Sequence, residues 1–120
     1  ESRLINKRIM NKTLDWIIAN WNWPTSWGWD FPMTAMTATR LNQPEKAVDA
    51  LLLNMQKNTY LNNGHNYQDQ RLRLYLPGNG GLLSAVALMC AGWDGCEEKN
   101  PGFPKDGNWD VRWEGLQPMP

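Results

Sequence analysis

Two apolar stretches decide the fold class: MTAMTATRL at residues 33–41 and LLSAVALMC at residues 82–90. The first carries no charge before Arg40, and the second carries no charge at all. A helix without a polar face is typical of a position that is buried on all sides. We therefore predict one buried helix over residues 33–41 and another over residues 82–93.

Each buried helix is preceded by a segment with the pattern of an amphipathic helix. Residues 3–21 repeat apolar side chains at helical spacing and carry a polar face. Residues 44–56 begin with Pro44, which suits the first turn of a helix, and their apolar stripe ends at Met55. This alternation is that of concentric helical hairpins, in which an outer helix that is wet on one side covers a dry inner helix.

The rest of the chain is rich in turns. A tryptophan-rich loop covers residues 20–32, and a long polar loop covers residues 58–81. Loops of this length inside a compact domain are uncommon and often functional. Near the end, residues 109–114 alternate apolar and polar side chains, which predicts one half-buried strand. We expect an all-α fold with helical hairpins over residues 1–95, followed by a turn-rich tail over residues 96–120 that contains this short C-terminal β-strand.

Charge and cysteine content exclude several function classes. Twelve basic residues balance twelve acidic residues, and no basic stripe could follow a phosphate backbone, so we expect no nucleic-acid partner. No apolar run reaches the roughly 18 residues of a membrane span. Cys90 and Cys96 do not have metal-ligand spacing and have no paired histidines beside them, so we expect neither a metal nor a cofactor. The sequence leaves open whether the two cysteines form a disulfide.

The tryptophan content points toward carbohydrate. The chain has eight tryptophans, more than a small core needs, and flat indole faces suit the apolar faces of sugar rings. Simple packing explains any single one of them at least as well. The excess as a whole therefore favours a carbohydrate-binding cleft.

The candidate site residues lie in the two unusual loops. In a barrel of helical hairpins the loops that lead from outer to inner helices emerge at one end, so residues 26–30 and 63–81 should meet. Asp30 is the leading candidate for a catalytic carboxylate, although it also fits a helix-capping role, and Asp69 is a weaker acid or base candidate. The expected sugar-contacting residues are aromatic, imidazole or amide side chains of these loops: Trp27, Trp29, His65, Asn66, Gln68 and Asn79.

A family resemblance enters at SWGWDFPMTAMTATRLNQPEKAVDALL, residues 26–52. This segment resembles the late barrel segment of the family 95 glycoside hydrolases, the alpha-L-fucosidase and galactosidase type. GNGG at residues 78–81 and NPGFPKDGNWDVRWEGL at residues 100–116 follow in that family's order. The resemblance implies a fragment of an (α/α)6 toroid, the six-hairpin glycosidase-like fold, that acts on glycosidic bonds of oligo- or polysaccharides.

The chain departs from that family at Pro77. The family has an acidic residue directly before the Gly-Asn of its last loop, where it helps to activate water, and proline cannot act as a base. Either Asp30 or Asp69 replaces it, or the chemistry differs, or this member is inactive on the family's substrates. The resemblance places the general acid upstream, outside this chain, so the expected partners are a carbohydrate substrate and the rest of the same polypeptide, with a periplasmic or secreted location.

Two alternatives to an enzyme remain. A non-catalytic carbohydrate-binding or structural helical module would keep the aromatic cleft, and Pro77 favours it. A helical protein-interaction domain would instead expose apolar faces on its helices.

Overall fold

A computed structural model describes residues 4–120 and shows a small, mostly helical domain. The elements in chain order are α1 (Lys7–Asn20), α2 (Asp30–Arg40), α3 (Pro44–Leu51), β1 (Thr59–Tyr60), β2 (Asn66–Tyr67) and α4 (Leu76–Ala91), with 3-10 turns at Trp23–Thr25 and Gln56–Asn58. All four predicted helices are confirmed, and so is the all-α class in its coarse form. No helix within residues 4–120 has both the length and the apolar character needed to cross a membrane.

Helix α2 is the centre of the domain and contacts the other three helices. Its prediction as a buried helix is confirmed, since Arg40 is its sole exposed residue. The core around it consists largely of small side chains, which let the helix backbones approach one another closely. The buried core residues are Leu14, Ala35, Ala38, Ala47, Val48, Ala50, Ala85 and Met89.

Contacts between side chains define the directions of the outer helices. Gln43 Nε2 lies 3.3 Å from Asn11 Oδ1, and Lys46 Nζ lies 2.6 Å from Asp15 Oδ1. Because the contacts follow the same order along both chain segments, α1 and α3 run in the same direction.

Helices α2 and α4 also run in the same direction. Near the start of both helices, a Cβ added to Gly81 in the second turn of α4 would lie 2.8 Å from Pro32 Cγ. Near their ends, the Arg40 guanidinium lies over the ring of Trp93, two residues beyond α4, 5.3 Å from its centroid. The two apolar helices therefore start at one end of the domain and finish at the other.

The helix ends differ from the predicted ones. Helix α1 begins at Lys7 because the Oδ1 of Asn6 accepts the N–H of Ile9 at 3.1 Å and so caps it. Residue 3, the predicted start, lies outside the described residues. Helix α3 ends at Leu51, several residues early, because the Asn58 side-chain amide donates to the Leu51 carbonyl at 2.9 Å and satisfies the helix end.

Helix α4 is longer than predicted and is not buried on all sides. It begins at Leu76, so the glycine-rich segment that we assigned to a loop is helical. Its buried face carries Leu88 and Met89, whereas Leu83 is 74% exposed and Val86 is 39% exposed. The prediction of a fully buried helix is wrong for this chain, because no second layer within residues 4–120 covers the outer face.

The predicted C-terminal strand is also wrong. Residues 109–114 form no strand, and Trp109 and Trp113 are each 44% exposed. A strand needs a neighbour that accepts its backbone hydrogen bonds, and none lies alongside this segment. The strands that do form, β1 and β2, pair antiparallel inside the long polar loop, where we expected no regular structure.

Candidate functional site

The two loops that were predicted to converge do meet. The backbone N–H of Gly28 donates to Gln68 Oε1 at 2.7 Å, although the two residues are 40 positions apart. We call this contact between the two loops the junction. Glycine is required at position 28, because an added Cβ would collide with Asn66 Oδ1 and lie 2.6 Å from Gln68 Nε2. The junction therefore joins the start of α2 to the long polar loop.

Asn66 and Gln68 form the interior of this junction, and both are fully buried. Gln68 Nε2 donates to the Lys57 carbonyl at 2.9 Å and to Asn66 Oδ1 at 3.0 Å, while Asn66 Nδ2 donates to the Thr59 carbonyl at 3.1 Å. Buried amides need such partners. We predicted sugar contacts for both; the structure buries both side chains, and their hydrogen bonds hold the loop together.

Asn79 attaches the same loop to α4. Its Oδ1 accepts the backbone N–H of Asn66 at 3.0 Å, and its Nδ2 donates to the Gly64 carbonyl at 2.7 Å. His65 lies within this clamped turn and is half-buried. Its imidazole makes no hydrogen bond with residues 4–120, so of the polar candidates in this turn the His65 ring is the one left available to a ligand.

Asp30 stands in the first turn of α2. Its Oδ2 accepts the backbone N–H of Trp27 at 2.8 Å, and its own N–H donates to the Trp27 carbonyl at 3.0 Å. This reciprocal pair closes the turn that leads into the helix. Asp30 is not the N-cap residue, since Trp29 takes that position and no side chain caps α2. The second carboxylate oxygen, Oδ1, makes no hydrogen bond with the described residues and remains available.

An exposed aromatic surface surrounds this carboxylate. The Trp27 ring lies 5.6 Å from the Tyr75 ring, and the Lys57 ammonium lies 4.1 Å from the Trp27 centroid, within cation–π range. Burial raises the pKa of the Tyr75 hydroxyl, and the negative charge of Asp30 raises it further. We call the face formed by Trp27, Asp30, Lys57 and Tyr75 the Trp27 surface.

Two of the four residues of this surface, Trp27 and Asp30, were predicted from the sequence. Lys57 and Tyr75 were missed because neither has a periodic or motif signal, and only the folded loop brings them to Trp27. Trp29, a predicted sugar contact, is 47% exposed beside the same turn. Pro77 occupies the first turn of α4, where it suits the helix start and supplies no acid or base.

Asp69 lies in a tight turn of the long loop. Its Oδ1 accepts the backbone N–H groups of Leu72 and Arg71, each at 2.8 Å. These hydrogen bonds lower the pKa of the Asp69 carboxyl, because they favour its charged form. A carboxyl with a lowered pKa is unsuited to act as a general acid and is a weak base, so this geometry gives Asp69 a turn-forming role.

The described residues offer little to a metal ion or to redox chemistry. No group of three or more His, Cys, Asp or Glu side chains within residues 4–120 is arranged to hold a metal. Cys90 and Cys96 are free thiols, and burial raises the pKa of Cys90.

Comparison of the chain with protein-family models, curated proteins and solved structures gives no match.

Proposed function

We propose that this chain is part of the catalytic barrel of a glycoside hydrolase and that the Trp27 surface lies at the substrate end. The observation that carries the proposal is the junction between the two loops, closed by the Gly28 to Gln68 hydrogen bond. It brings the Trp27 indole, the Asp30 carboxylate and the Lys57 ammonium together near the start of the apolar helices. Sugar recognition uses such a combination of a flat apolar face and charged hydrogen-bonding groups.

The helix arrangement supports the barrel. Parallel α1 and α3 on one side and parallel α2 and α4 on the other are what repeated hairpins of an (α/α)6 toroid produce. In such a toroid the inner helices all begin at the same end, and the loops before them line the cleft. Gly28 and Tyr75 immediately precede the two apolar helices here, which fits that position.

Asp30 is the proposed general base. Its Oδ2 is occupied by the Trp27 N–H, while Oδ1 is available to a water molecule. In an inverting glycosidase the two carboxyl groups stand about 6.5–9.5 Å apart, with the water between the base and the sugar. The general acid would come from the rest of the same polypeptide.

The exposed apolar side chains support a larger assembly. Leu83 on α4 and Ile9 and Trp16 on α1 are 74%, 58% and 59% exposed. Burying a large apolar side chain contributes about 1.5–3 kcal/mol, so covering these faces would be favourable. Neighbouring hairpins of the same barrel are the proposed cover.

The same exposed faces favour a second candidate, a helical protein-interaction module. This alternative was expected to expose apolar helix faces, and α1 and α4 do so. It gives no reason for the carboxylate and indole at the Trp27 surface, and we therefore place it second.

A paired assay on the longest polypeptide that carries this chain tests the proposal. The protein is screened on a glycan array and, in parallel, on aryl glycosides and oligosaccharides for hydrolysis. Hydrolysis supports the glycosidase, and binding without hydrolysis indicates a non-catalytic carbohydrate-binding module. If the protein neither binds nor hydrolyses any of these carbohydrates, both carbohydrate functions are refuted and the protein-interaction module remains.

A further inference from the structure

Residues 99–113 form a second aromatic surface, which we call the tail groove. It has a volume of about 290 Å³, and its walls include Asn100, Phe103, Lys105, Trp109 and Asp110. The tail joins the domain near Met89, fourteen residues along α4 from Tyr75 at the other end. At 1.5 Å rise per residue the tail groove lies about 20 Å along α4 from the Trp27 surface.

One half-exposed indole, that of Trp109, lines this groove, and a second, that of Trp113, is bonded to one of its wall residues. The Trp109 ring packs against the Phe103 ring, with centroids 5.3 Å apart. The indole N–H of Trp113 donates to Asn100 Oδ1 at 2.8 Å. Each of these tryptophans is 44% exposed, so part of each indole is open to solvent.

The irregular backbone of the groove is held firmly to the helices. The N–H of Gly102 donates to the Met89 carbonyl at 3.0 Å, and an added Cβ at Gly102 would collide with Met89. Lys105 Nζ donates to the carbonyls of Lys99 and Asn100 at 2.6 and 2.8 Å. A site held in this way pays little ordering cost when a ligand binds.

Polar groups surround the open indole face. Asn100 Nδ2 makes no hydrogen bond with residues 4–120 and is available as a donor. The exposed Asp110 carboxylate accepts from Arg112 at both oxygens, Nε to Oδ1 at 3.2 Å and Nη2 to Oδ2 at 2.8 Å, and each oxygen can accept one further hydrogen bond from solvent or a ligand. The groove thus offers a flat apolar floor with donors and acceptors at its edge.

We infer that the tail groove binds a single pyranose ring of a neutral oligosaccharide, with Trp109 as the stacking platform. A pyranose has C–H groups on its face and hydroxyls around its rim, which matches that floor and edge. A groove of this volume lies at the small end for ligand pockets, so it suits one ring of a longer chain. The inference takes its ligand class from the proposed function, but the site is separate from the Trp27 surface.

The test uses the longest polypeptide that carries this chain and a glycan array of neutral oligosaccharides. Affinity for the bound oligosaccharides is compared between the wild type, Trp109→Ala and the control Glu97→Ala, an exposed residue of the same tail that does not line the groove. We expect Trp109→Ala to weaken binding of long oligosaccharides about tenfold and Glu97→Ala to leave it unchanged. Equal affinity of Trp109→Ala and the wild type would overturn the inference, as would a wild type that binds no glycan.

A second variant separates loss of binding from loss of folding. Asp110→Ala removes an exposed side chain without touching the Trp109–Phe103 contact, and it should weaken the same oligosaccharides. Hydrolysis of a short aryl glycoside, which cannot span both sites, should be unchanged in Trp109→Ala. If the protein hydrolyses glycosides but its binding does not depend on Trp109, the proposed function stands and the tail groove is rejected. If binding depends on Trp109 but there is no hydrolysis, the tail groove stands and the glycosidase is rejected.

Discussion

At the scale of single residues, Gly28 controls how the two loops meet. A Cβ at this position would collide with Asn66 and crowd Gln68, both of which are buried and fully hydrogen-bonded. Overpacking of this kind costs about 1–3 kcal/mol, so Gly28→Ala should lower the free energy of unfolding by that amount. Urea denaturation of the purified variant measures it.

Gly80→Ala is the matched control for this substitution. Gly80 is helical and exposed, and an added Cβ there meets no atom within 4 Å. Alanine should therefore stabilise the chain by about 0.5–1 kcal/mol, because glycine in a helix interior loses more backbone entropy. A Gly28→Ala variant as stable as the wild type would mean that the junction is looser than its contacts indicate.

Asp30 has one carboxylate oxygen in the helix turn and one available for catalysis. In the longest polypeptide that carries this chain, Asp30→Asn retains an oxygen that can accept the Trp27 N–H but removes the base, so the fold should persist while kcat falls about 10²–10⁴-fold. Asp106→Asn is the control, since Asp106 also accepts a backbone N–H, that of Asn108, far along the chain. A loss of less than about threefold in Asp30→Asn would assign it to capping alone.

Asp69 should make the stability of the chain depend on pH in the acid range. Its pKa is lower in the folded chain because its carboxylate accepts the N–H groups of Leu72 and Arg71. The stabilisation is present above the unfolded pKa, near 3.8, and is lost as pH falls through the folded value. Below that pH, the free energy of unfolding should fall less in Asp69→Asn than in the wild type. Urea denaturation at a series of pH values measures both, and identical dependence on pH in the two proteins would contradict this.

At the scale of elements, α4 offers the sharpest test of what surrounds this chain. Leu88 is buried in the core, so Leu88→Ala should cost about 2–5 kcal/mol. Leu83 is 74% exposed, and Leu83→Ala should cost little in the 120-residue chain. If hairpins of a barrel cover this face, Leu83→Ala should cost clearly more in the longer polypeptide than in the short one. Chemical denaturation of both forms makes the comparison, and an equal small cost would argue against the barrel.

At the scale of the whole molecule, we expect the 120-residue chain alone to show no hydrolase activity. The Trp27 surface supplies one candidate carboxylate, and glycoside hydrolysis uses a pair. Incubation of the purified chain with aryl glycosides checks this, with release of the aryl alcohol as the readout. Robust turnover would show that a complete acid and base pair lies within these residues.

The predictable part of the fold follows from local patterns. The charge-free stretches predicted α2 and α4, and the apolar periodicity predicted α1 and α3, because helical burial repeats every three to four residues. The convergence of the loops at Gly28 and Gln68 was also predicted, because segments that precede two neighbouring helices of the same direction lie at the same end of the domain. Asp30 was recognisable as a helix-start residue from its position before Pro32.

Only the tertiary structure decided which polar groups are free and which apolar faces are covered. Asn66 and Gln68 were predicted to be ligand-binding amides, but their side chains donate to backbone carbonyls seven and eleven positions earlier in the folded loop. Residues 109–114 alternate like a strand, yet a strand exists only where a second strand pairs with it. Hydrogen-bond partners and covering surfaces are contributed by other parts of a chain, so a local pattern determines the type of an element and leaves its contacts to the fold.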